Sequence, residues 1–437
     1  MTALDDLFLD QSIRRRVGEP GAVTRVERSV RSPLGMFRDL AERSSGSSID
    51  LVTVTDGIPG HFSLLGRDQQ TVVFHQRQVE VCAFLYGLTL EQRFEQELLE
   101  VLFESTMLRL IAEFLLQGGH ADQAMATLAK SWQVRGGIVL HGPTIDDLNG
   151  LERDERYLVE WFFALGHEIG HGLAPTLASS LRNLGGLSTD RIEQLVDLIL
   201  DARFSDEGRE TLKGIIRRGD AGDGPRSHAS AEVLRDEAVA DVFAVICLSE
   251  AWKVLCGDRA GRDYSPHRLL FEAMVSMSSV MGIEQCRIMA GWFSSMSNEV
   301  DRQPLMLSGV ALQARINLLH LTLCDPDAQA FLTARYPSLK AFTRFDESAF
   351  TNAARYLETQ SLRMGPPFER ARHFLSSPEM HDARRLQEYF EEVATNGTVR
   401  FDALEFLRVA RHLQTPMLDA LREVTEGGVP PIVSSTR

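Results

Sequence analysis

The segment His167-Glu168-Ile169-Gly170-His171 has the spacing of the metal-binding motif HExxH. Four residues make slightly more than one helical turn, so on a helix both imidazoles project from one face and can bind one Zn²⁺. Glu168 then lies beside the metal, where it can deprotonate a zinc-bound water and return the proton to a leaving amine. The alternative is a buried helix whose two histidines only form hydrogen bonds within a core.

The residues around the motif predict a helix. Residues 152–165 begin with charged side chains and become apolar towards His167, which is typical of a helix that enters a core. Gly172 and Pro175 predict that this helix ends soon after His171.

Two histidines are too few for a catalytic zinc, which needs three protein ligands and a water. A third histidine at the spacing HExxHxxGxxH is excluded, because Ala174 and Leu177 occupy those places. The remaining common solution is a carboxylate on a later helix, with an aspartate one turn further on that binds a metal-bound histidine. Three Glu-xxx-Asp pairs follow the motif: Glu193/Asp197, Glu232/Asp236 and Glu237/Asp241.

The surroundings of the pairs favour the last one. Asp241 is the only polar residue in the segment 238–248, AVADVFAVICL. A carboxylate in such a segment costs several kcal/mol unless it has a partner, and a histidine–zinc cluster is one. Ala240 and Ala244 are small enough for the close approach of another helix.

The other two pairs have the pattern of solvated positions. Glu193 and Asp197 belong to an acidic stripe on an amphipathic helix, and Glu232/Asp236 lies in the charged opening of its helix. We therefore favour Glu237 as the third metal ligand and Asp241 as the partner of a metal-bound histidine. The alternative is a pair of structural carboxylates bonded to a buried arginine.

With these residues assembled, the chain resembles the gluzincin metallopeptidases, and in particular soluble relatives of the CAAX-prenyl-protease family, in which HExxH is followed by ExxAD. The matching segments are 136–140 (GGIVL), 167–171 (HEIGH) and 237–241 (EAVAD), so the resemblance covers roughly residues 130–250. The chain is similar, more weakly, to the repressor-cleaving peptidases of mobile elements, which share HEIGH and a later ExxA.

The resemblance implies a zincin-like core, Zn²⁺ as cofactor, peptide-bond hydrolysis and Glu168 as general base. The chain departs from the membrane-bound members because it has no transmembrane segment, which leaves a lipidated substrate in doubt. The competing interpretation is a non-catalytic regulatory or scaffold protein that keeps a zinc site for stability. An intact Glu168 favours catalysis, since a purely structural site has no use for an acid between its histidines.

The pattern along the chain predicts an α+β fold, with a small mixed sheet and the HExxH helix followed by a mainly α-helical C-terminal part. Short strands are predicted at 51–55, 61–65, 71–75 and 136–141, and helices over 90–117, 121–132, 190–204, 231–252 and within 265–335. The predicted division is a polar N-terminal arm (1–48), a zincin-like metallopeptidase domain (49–335) and a helical C-terminal module (336–437).

Two segments, 138–141 and 392–406, have patterns that predict a more specific structure. Residues 138–141 are a candidate for an edge strand that pairs with an extended peptide substrate, or else for an ordinary interior strand. Residues 392–406 resemble an EF-hand loop, but Ala394 and Ala403 stand where carboxylate ligands belong, so this segment predicts a helix–turn–helix without Ca²⁺.

Composition limits the partners. The formal net charge of −15 would repel nucleic acid and anionic membranes, so we expect a protein or peptide substrate and no nucleic acid. Five scattered cysteines without CxxC predict reduced thiols, and no apolar run approaches the 18 or so residues of a membrane span, so we expect a cytoplasmic protein without membrane insertion. Tyr264, His267 and Arg315 lie downstream, where donors to an oxyanion are often found, and none is assigned a role.

Overall fold

The structure is a computed structural model. It describes residues 11–12, 23–25, 38–39, 42, 48–54, 61–65, 69–75, 78–79, 81–82, 85, 96–136, 150–183, 187–222, 227–256, 266–292, 302–336, 347–382, 384–385 and 388. These segments are mainly helical and include a four-stranded sheet, which confirms the predicted α+β class. The zincin-like character of the core stays a prediction.

The longer helices of the described segments include those predicted over 90–117, 121–132, 190–204, 231–252 and within 265–335. They are α1 (Gln96–Gln117), α2 (Ala121–Gly136), α3 (Gly150–Asn183), α4 (Thr189–Arg203), α5 (Asp206–Asp220), α6 (Ala231–Cys256), α7 (Pro266–Gly291), α8 (Arg302–Cys324), α9 (Pro326–Arg335) and α10 (Glu347–Leu375).

The sheet is small and mixed, as predicted. Its strands are β1 (Val23–Arg25), β2 (Ser48–Val54), β3 (Phe62–Leu65) and β4 (Gln69–His75), in the order β1-β2-β4-β3. β2 and β4 are parallel, and the other two pairings are antiparallel. Alternate residues face opposite sides: Val72 and Phe74 belong to the main core with α3, whereas Val73 packs in a second cluster. Phe74 also meets Trp161 of α3 edge-on, at 6.0 Å between ring centroids.

Helices α3 and α6 pack against each other through small residues. A Cβ atom on Gly166 would lie 2.8 Å from the Cα of Ala244, and one on Gly170 would lie 2.6 Å from the Cα of Ala240. Both separations are too short for a real side chain, so the two backbones come close together over one turn of each helix. This confirms the close approach predicted from Ala240 and Ala244.

The prediction that the motif helix ends at Gly172 or Pro175 is wrong, because α3 continues to Asn183. Gly172 is needed for packing rather than for termination, since a Cβ atom there would overlap Oε1 of Gln70 in β4. Pro175 removes one helical hydrogen bond, which costs about 3 kcal/mol. Beyond it the helix buries Leu181 completely in the core, so tertiary packing outweighs the local helix-breaking signal.

The chain separates into two compact units, each made of three stretches. Unit 1 comprises Met1–Leu90, Ile145–Glu284 and Arg302–Gln360, and contains the sheet and the HExxH motif. Unit 2 comprises Glu91–Thr144, Gln285–Asp301 and Ser361–Arg437, and contains α1 and α2. The division into an arm (1–48), a domain (49–335) and a C-terminal module (336–437) stays a prediction.

The close contact of α3 and α6 predicts that Gly170→Ala destabilises the protein. The added methyl group would meet main-chain atoms of Ala240, which cannot rotate away, so the helices must separate at a cost of about 1–3 kcal/mol. Gly282→Ala in α7 is the matched control, because no neighbouring atom among the described residues lies within 4 Å of its Cβ position, and the change should stabilise the helix by about 0.5–1 kcal/mol. Urea denaturation measures both, and a Gly170→Ala protein as stable as wild type would contradict the packing argument.

Glu160 is a carboxyl group buried in the core two turns before His167. Only 2% of the residue is exposed, and its Oε1 has no hydrogen-bond partner among the described residues. Burial raises the pKa of Glu160 to about 8; Ser276 opposes this shift, and the charge of Glu272 adds to it. The folded protein therefore holds this proton in a pH range where the unfolded chain has lost it.

The raised pKa of Glu160 predicts a particular pH dependence of stability. Its contribution is fully present below the ordinary value of 4.5 and is lost as the pH rises towards about 8. In Glu160→Gln this loss disappears, so the free energy of unfolding should fall less steeply over that range than in wild type. Urea denaturation at a series of pH values measures the slopes, with the exposed Glu193→Gln as control. Equal slopes in wild type and Glu160→Gln would refute the prediction.

Candidate metal centre

The two motif histidines lie one turn apart on α3, as the helical spacing predicts. Their Nε2 atoms are 3.2 Å apart, and the ring planes are nearly perpendicular, at 86°. The side chains of His167 and His171 are 13% and 26% exposed, so solvent can reach the atoms that face each other.

Glu237 of α6 completes a group of three possible metal ligands. Its Oε2 lies 3.4 Å from Nε2 of His167, and its Oε1 lies 3.7 Å from Nε2 of His171. Within the residues that the structure describes, His167, His171 and Glu237 form the group whose ligand atoms all lie within 4.8 Å of one another. The group could hold a metal ion.

The spacing of these atoms fits a tetrahedral ion. Ligand atoms bound at about 2.0–2.2 Å to a tetrahedral Zn²⁺ lie roughly 3.3–3.6 Å from each other. The two histidine nitrogens are 3.2 Å apart, Oε2 of Glu237 lies 3.4 Å from His167 and Oε1 lies 3.7 Å from His171, so each carboxylate oxygen lies close to that range from one histidine. Two imidazole nitrogens and one carboxylate are also a donor set that Zn²⁺ accepts, with a fourth position left for water.

Asp241 binds the far side of His167. Its Oδ1 lies 3.0 Å from Nδ1 of His167, and the residue has no exposed surface. A carboxylate at Nδ1 keeps the proton on that nitrogen and leaves the Nε2 lone pair for a metal. The structure therefore places Asp241 where the burial argument expected it, one helical turn after Glu237.

Arg315 of α8 is the residue that the sequence reasoning did not assign. Its Nε and Nη2 donate to the two oxygens of Asp241 at 2.9 and 2.7 Å, and its Nη1 lies 2.8 Å from Oε2 of Glu237. A signal was present, because Arg315 is the only charged residue of the apolar segment 304–319, as Asp241 is of its own. The sequence left two partners open for Asp241, a histidine and a buried arginine. The structure contains both, because Asp241 binds His167 and Arg315 at the same time.

The charges of this network control the histidine pKa values. For His167, burial alone would lower the pKa, but the hydrogen bonds to Asp241 and Glu237 outweigh burial and raise it to about 10. For His171, burial and then the positive charge of His167 lower the pKa to about 4. One imidazole is therefore protonated and the other neutral, and a metal ion would replace the proton on the Nε2 of His167.

The carboxylates of Glu237 and Asp241 stay ionised in the same network. Burial would raise the pKa of each, but the charge of Arg315 and the hydrogen bonds to His167 outweigh burial and lower both values. The pKa of Arg315 is raised in turn, against burial, by the charges of Asp241 and Glu237 and also by that of Glu168. Glu168 therefore lies within electrostatic range of the same guanidinium.

Strand β4 fixes the main chain at Glu168. The Nε2 of Gln70 donates to the carbonyl of Glu168 at 2.7 Å, and Gly172 leaves the space for the Gln70 amide. Gln70 is buried, whereas Glu168 is partly exposed. The helix is thus anchored to the sheet at the residue that would act as general base.

His61 stands just before β3, close to this anchored helix. Its Nδ1 accepts a hydrogen bond from the main-chain N–H of His75 at 2.9 Å, and its ring stacks on Phe74. Burial, followed by the charges of His75 and His167, lowers the pKa of His61 well below its ordinary value. His61 is therefore a neutral imidazole within electrostatic range of His167, which the sequence reasoning did not single out.

The other acidic pairs are not brought to the histidines. Glu193 and Asp197 are exposed on α4, where Asp197 pairs with Lys213 at 2.7 Å. Glu232 is exposed at the start of α6, and Asp236 lies beside Arg235. The prediction that these are solvated positions is confirmed.

Some predicted features fall outside the described residues. These are the strand segment 137–141, Tyr264, the side chain of His267 and the segment 392–406. Gly136, predicted to begin that strand, instead ends α2. Cys82, Cys247, Cys286 and Cys324 are free thiols, and none of the helices described has the length and apolar character needed to cross a membrane.

Comparison with known proteins gives no relative. The chain matches no family model, no curated protein and no solved structure. The resemblance to gluzincin peptidases therefore rests on the sequence motifs HExxH and ExxAD and stays a prediction.

Proposed function

We propose that the protein is a zinc-dependent metallopeptidase of the gluzincin type, which hydrolyses peptide bonds of an intracellular protein or peptide. The observation that carries the proposal is the convergence of two histidine Nε2 atoms and the Glu237 carboxylate at 3.2–3.7 Å, beside Glu168. His167, His171 and Glu237 would hold the ion. Asp241 would orient His167 and make it a stronger donor.

The chain's own residues account for the proton transfers. Glu168 takes a proton from the attacking water and delivers it to the leaving amine of the substrate. When bound, Zn²⁺ supplies Lewis-acid chemistry, which makes a water acidic near neutral pH and polarises a carbonyl group. Gln70 holds the main chain of Glu168, so the helix that carries the base is fixed to the sheet.

A second candidate is a non-catalytic regulatory or scaffold protein that keeps a zinc site for stability. The observation in its favour is the ion network, because Arg315 links α8 to both acids of α6, and Asp241 links α6 to α3. Such a network stabilises the packing of three helices whether or not a reaction takes place. The role of Glu168 separates the two candidates.

The proposal predicts about one zinc per chain. Elemental analysis after zinc reconstitution and gel filtration measures the zinc content of wild type, His171→Ala and His228→Ala. We expect His171→Ala to lose the metal and His228→Ala to keep it. His228 is an exposed histidine that pairs with Glu284 and serves as the control. Absence of zinc from the reconstituted wild-type protein would exclude the enzyme and the scaffold with a zinc site alike.

Glu168→Gln should abolish hydrolysis and leave the zinc content unchanged. The amide keeps the shape of the side chain but cannot accept a proton, so we expect a loss of at least about a hundredfold. Mass spectrometry of new termini in a synthetic peptide library, incubated with the zinc-loaded protein, measures cleavage, and Glu193→Gln is the matched control.

Two outcomes would change the assignment. Loss of zinc from Glu168→Gln would make Glu168 a ligand rather than a base. Zinc-loaded wild type that cleaves no more of the library than Glu168→Gln would favour the non-catalytic protein.

A further inference from the structure

Arg315 uses every nitrogen of its side chain on the two acids of α6. Nε and Nη2 bind both oxygens of Asp241, and Nη1 lies 2.8 Å from Oε2 of Glu237. The side chain is 9% exposed, so these contacts are made with little competition from water. A buried planar guanidinium that binds one carboxylate with two parallel hydrogen bonds is held in a fixed orientation.

This orientation makes the two oxygens of Glu237 unequal. Oε2 lies 2.8 Å from Nη1 of Arg315 and 3.4 Å from Nε2 of His167, whereas Oε1 lies 3.7 Å from Nε2 of His171. We propose that Arg315 is a positioning residue that restricts Glu237 to one metal-binding oxygen. The inference rests on the proposed metallopeptidase function and adds that Arg315 determines how Glu237 binds the metal.

The restriction matters because a catalytic zinc site needs an open position. A carboxylate can bind a metal through one oxygen or through both, and the second oxygen would take the place that water requires. By holding Oε2, Arg315 keeps that place free. It also balances the buried negative charge of Asp241, which would otherwise be costly.

A lysine cannot replace this arginine. Its single ammonium group has the same charge but cannot bind both oxygens of Asp241 in parallel and reach Glu237 as well. Arg315→Lys therefore releases Oε2 of Glu237 while it leaves a positive charge in the core. Arg370→Lys is the matched control, because Arg370 bridges Glu104 and Glu100 at 2.6 and 3.3 Å, neither of which belongs to the proposed metal group.

The experiment compares wild type, Arg315→Lys and Arg370→Lys in three measurements. These are zinc affinity by competition with a chelator, the visible spectrum of the Co²⁺-substituted protein, and the cleavage rate per bound zinc. In Arg315→Lys the Co²⁺ bands should weaken and shift towards those of a five-coordinate ion, since the geometry of the ion determines them. Cleavage per bound zinc should fall roughly 10- to 100-fold. Zinc affinity should fall less than the cleavage rate. The released second oxygen of Glu237 can also bind the metal, which compensates for the loss of a fixed carboxylate orientation.

The outcomes separate the two proposals. A wild-type protein that binds neither zinc nor cobalt would overturn the metallopeptidase function and this inference with it. If wild type binds zinc and cleaves peptides, but Arg315→Lys has the same cobalt spectrum and cleavage per zinc, only the role of Arg315 is overturned. If Arg315 had only a structural role, Arg315→Lys would lower the stability of the protein and leave the cobalt spectrum and the cleavage rate per zinc unchanged.

A measurement on the wild-type protein covers the case in which Arg315→Lys does not fold. A crystal structure of the zinc-loaded wild-type protein shows which atoms bind the metal, and one oxygen of Glu237 is expected at bonding distance. Two Glu237 oxygens at bonding distance would overturn the inference without any variant.

Discussion

The carboxylate of Asp241 has no contact with solvent, and the arrangement of three helices follows from how it is satisfied. An isolated charge at that depth would cost several kcal/mol, so its partners must be brought to it. α3 contributes His167, α8 contributes Arg315, and Asp241 itself stands in the middle of α6. The orientation of His167, the placement of Glu237 and the charge balance of the site all depend on this one buried group.

The close packing of α3 and α6 brings the histidines of one helix within a few ångströms of Glu237 on the other. Gly166 and Gly170 let the backbone of α3 approach Ala244 and Ala240 on α6, over the same turns that bear the histidines and the acids. A longer distance between the helices would move Glu237 beyond the 3.4 Å that separates it from His167. The glycines inside the motif helix are therefore as much a part of the site as its ligands, although none of them carries a functional group.

The sequence predicted the parts of the site that depend on local spacing and on single buried charges. HExxH requires only helical periodicity, and Asp241 was found because a lone polar residue in an apolar helix needs a partner. The length of α3 was not predictable from the local sequence. Gly172 makes room for the side chain of Gln70 and does not end the helix. Gln70 lies 98 residues before Glu168, to which it is hydrogen-bonded, so this contact is visible only in the fold. Arg315 was seen but not assigned, since its pairing with Asp241 spans 74 residues and becomes visible only in the fold.

Two imidazole nitrogens 3.2 Å apart repel each other if both are bare acceptors, so a proton or a metal ion is needed between them. A proton on His167, whose pKa is about 10, meets this need, and His167 and Arg315 then balance Glu237 and Asp241. A divalent ion would take the place of the proton and add one positive charge to the group. The group could therefore hold a metal ion, and its side chains also form an ion network that links the three helices.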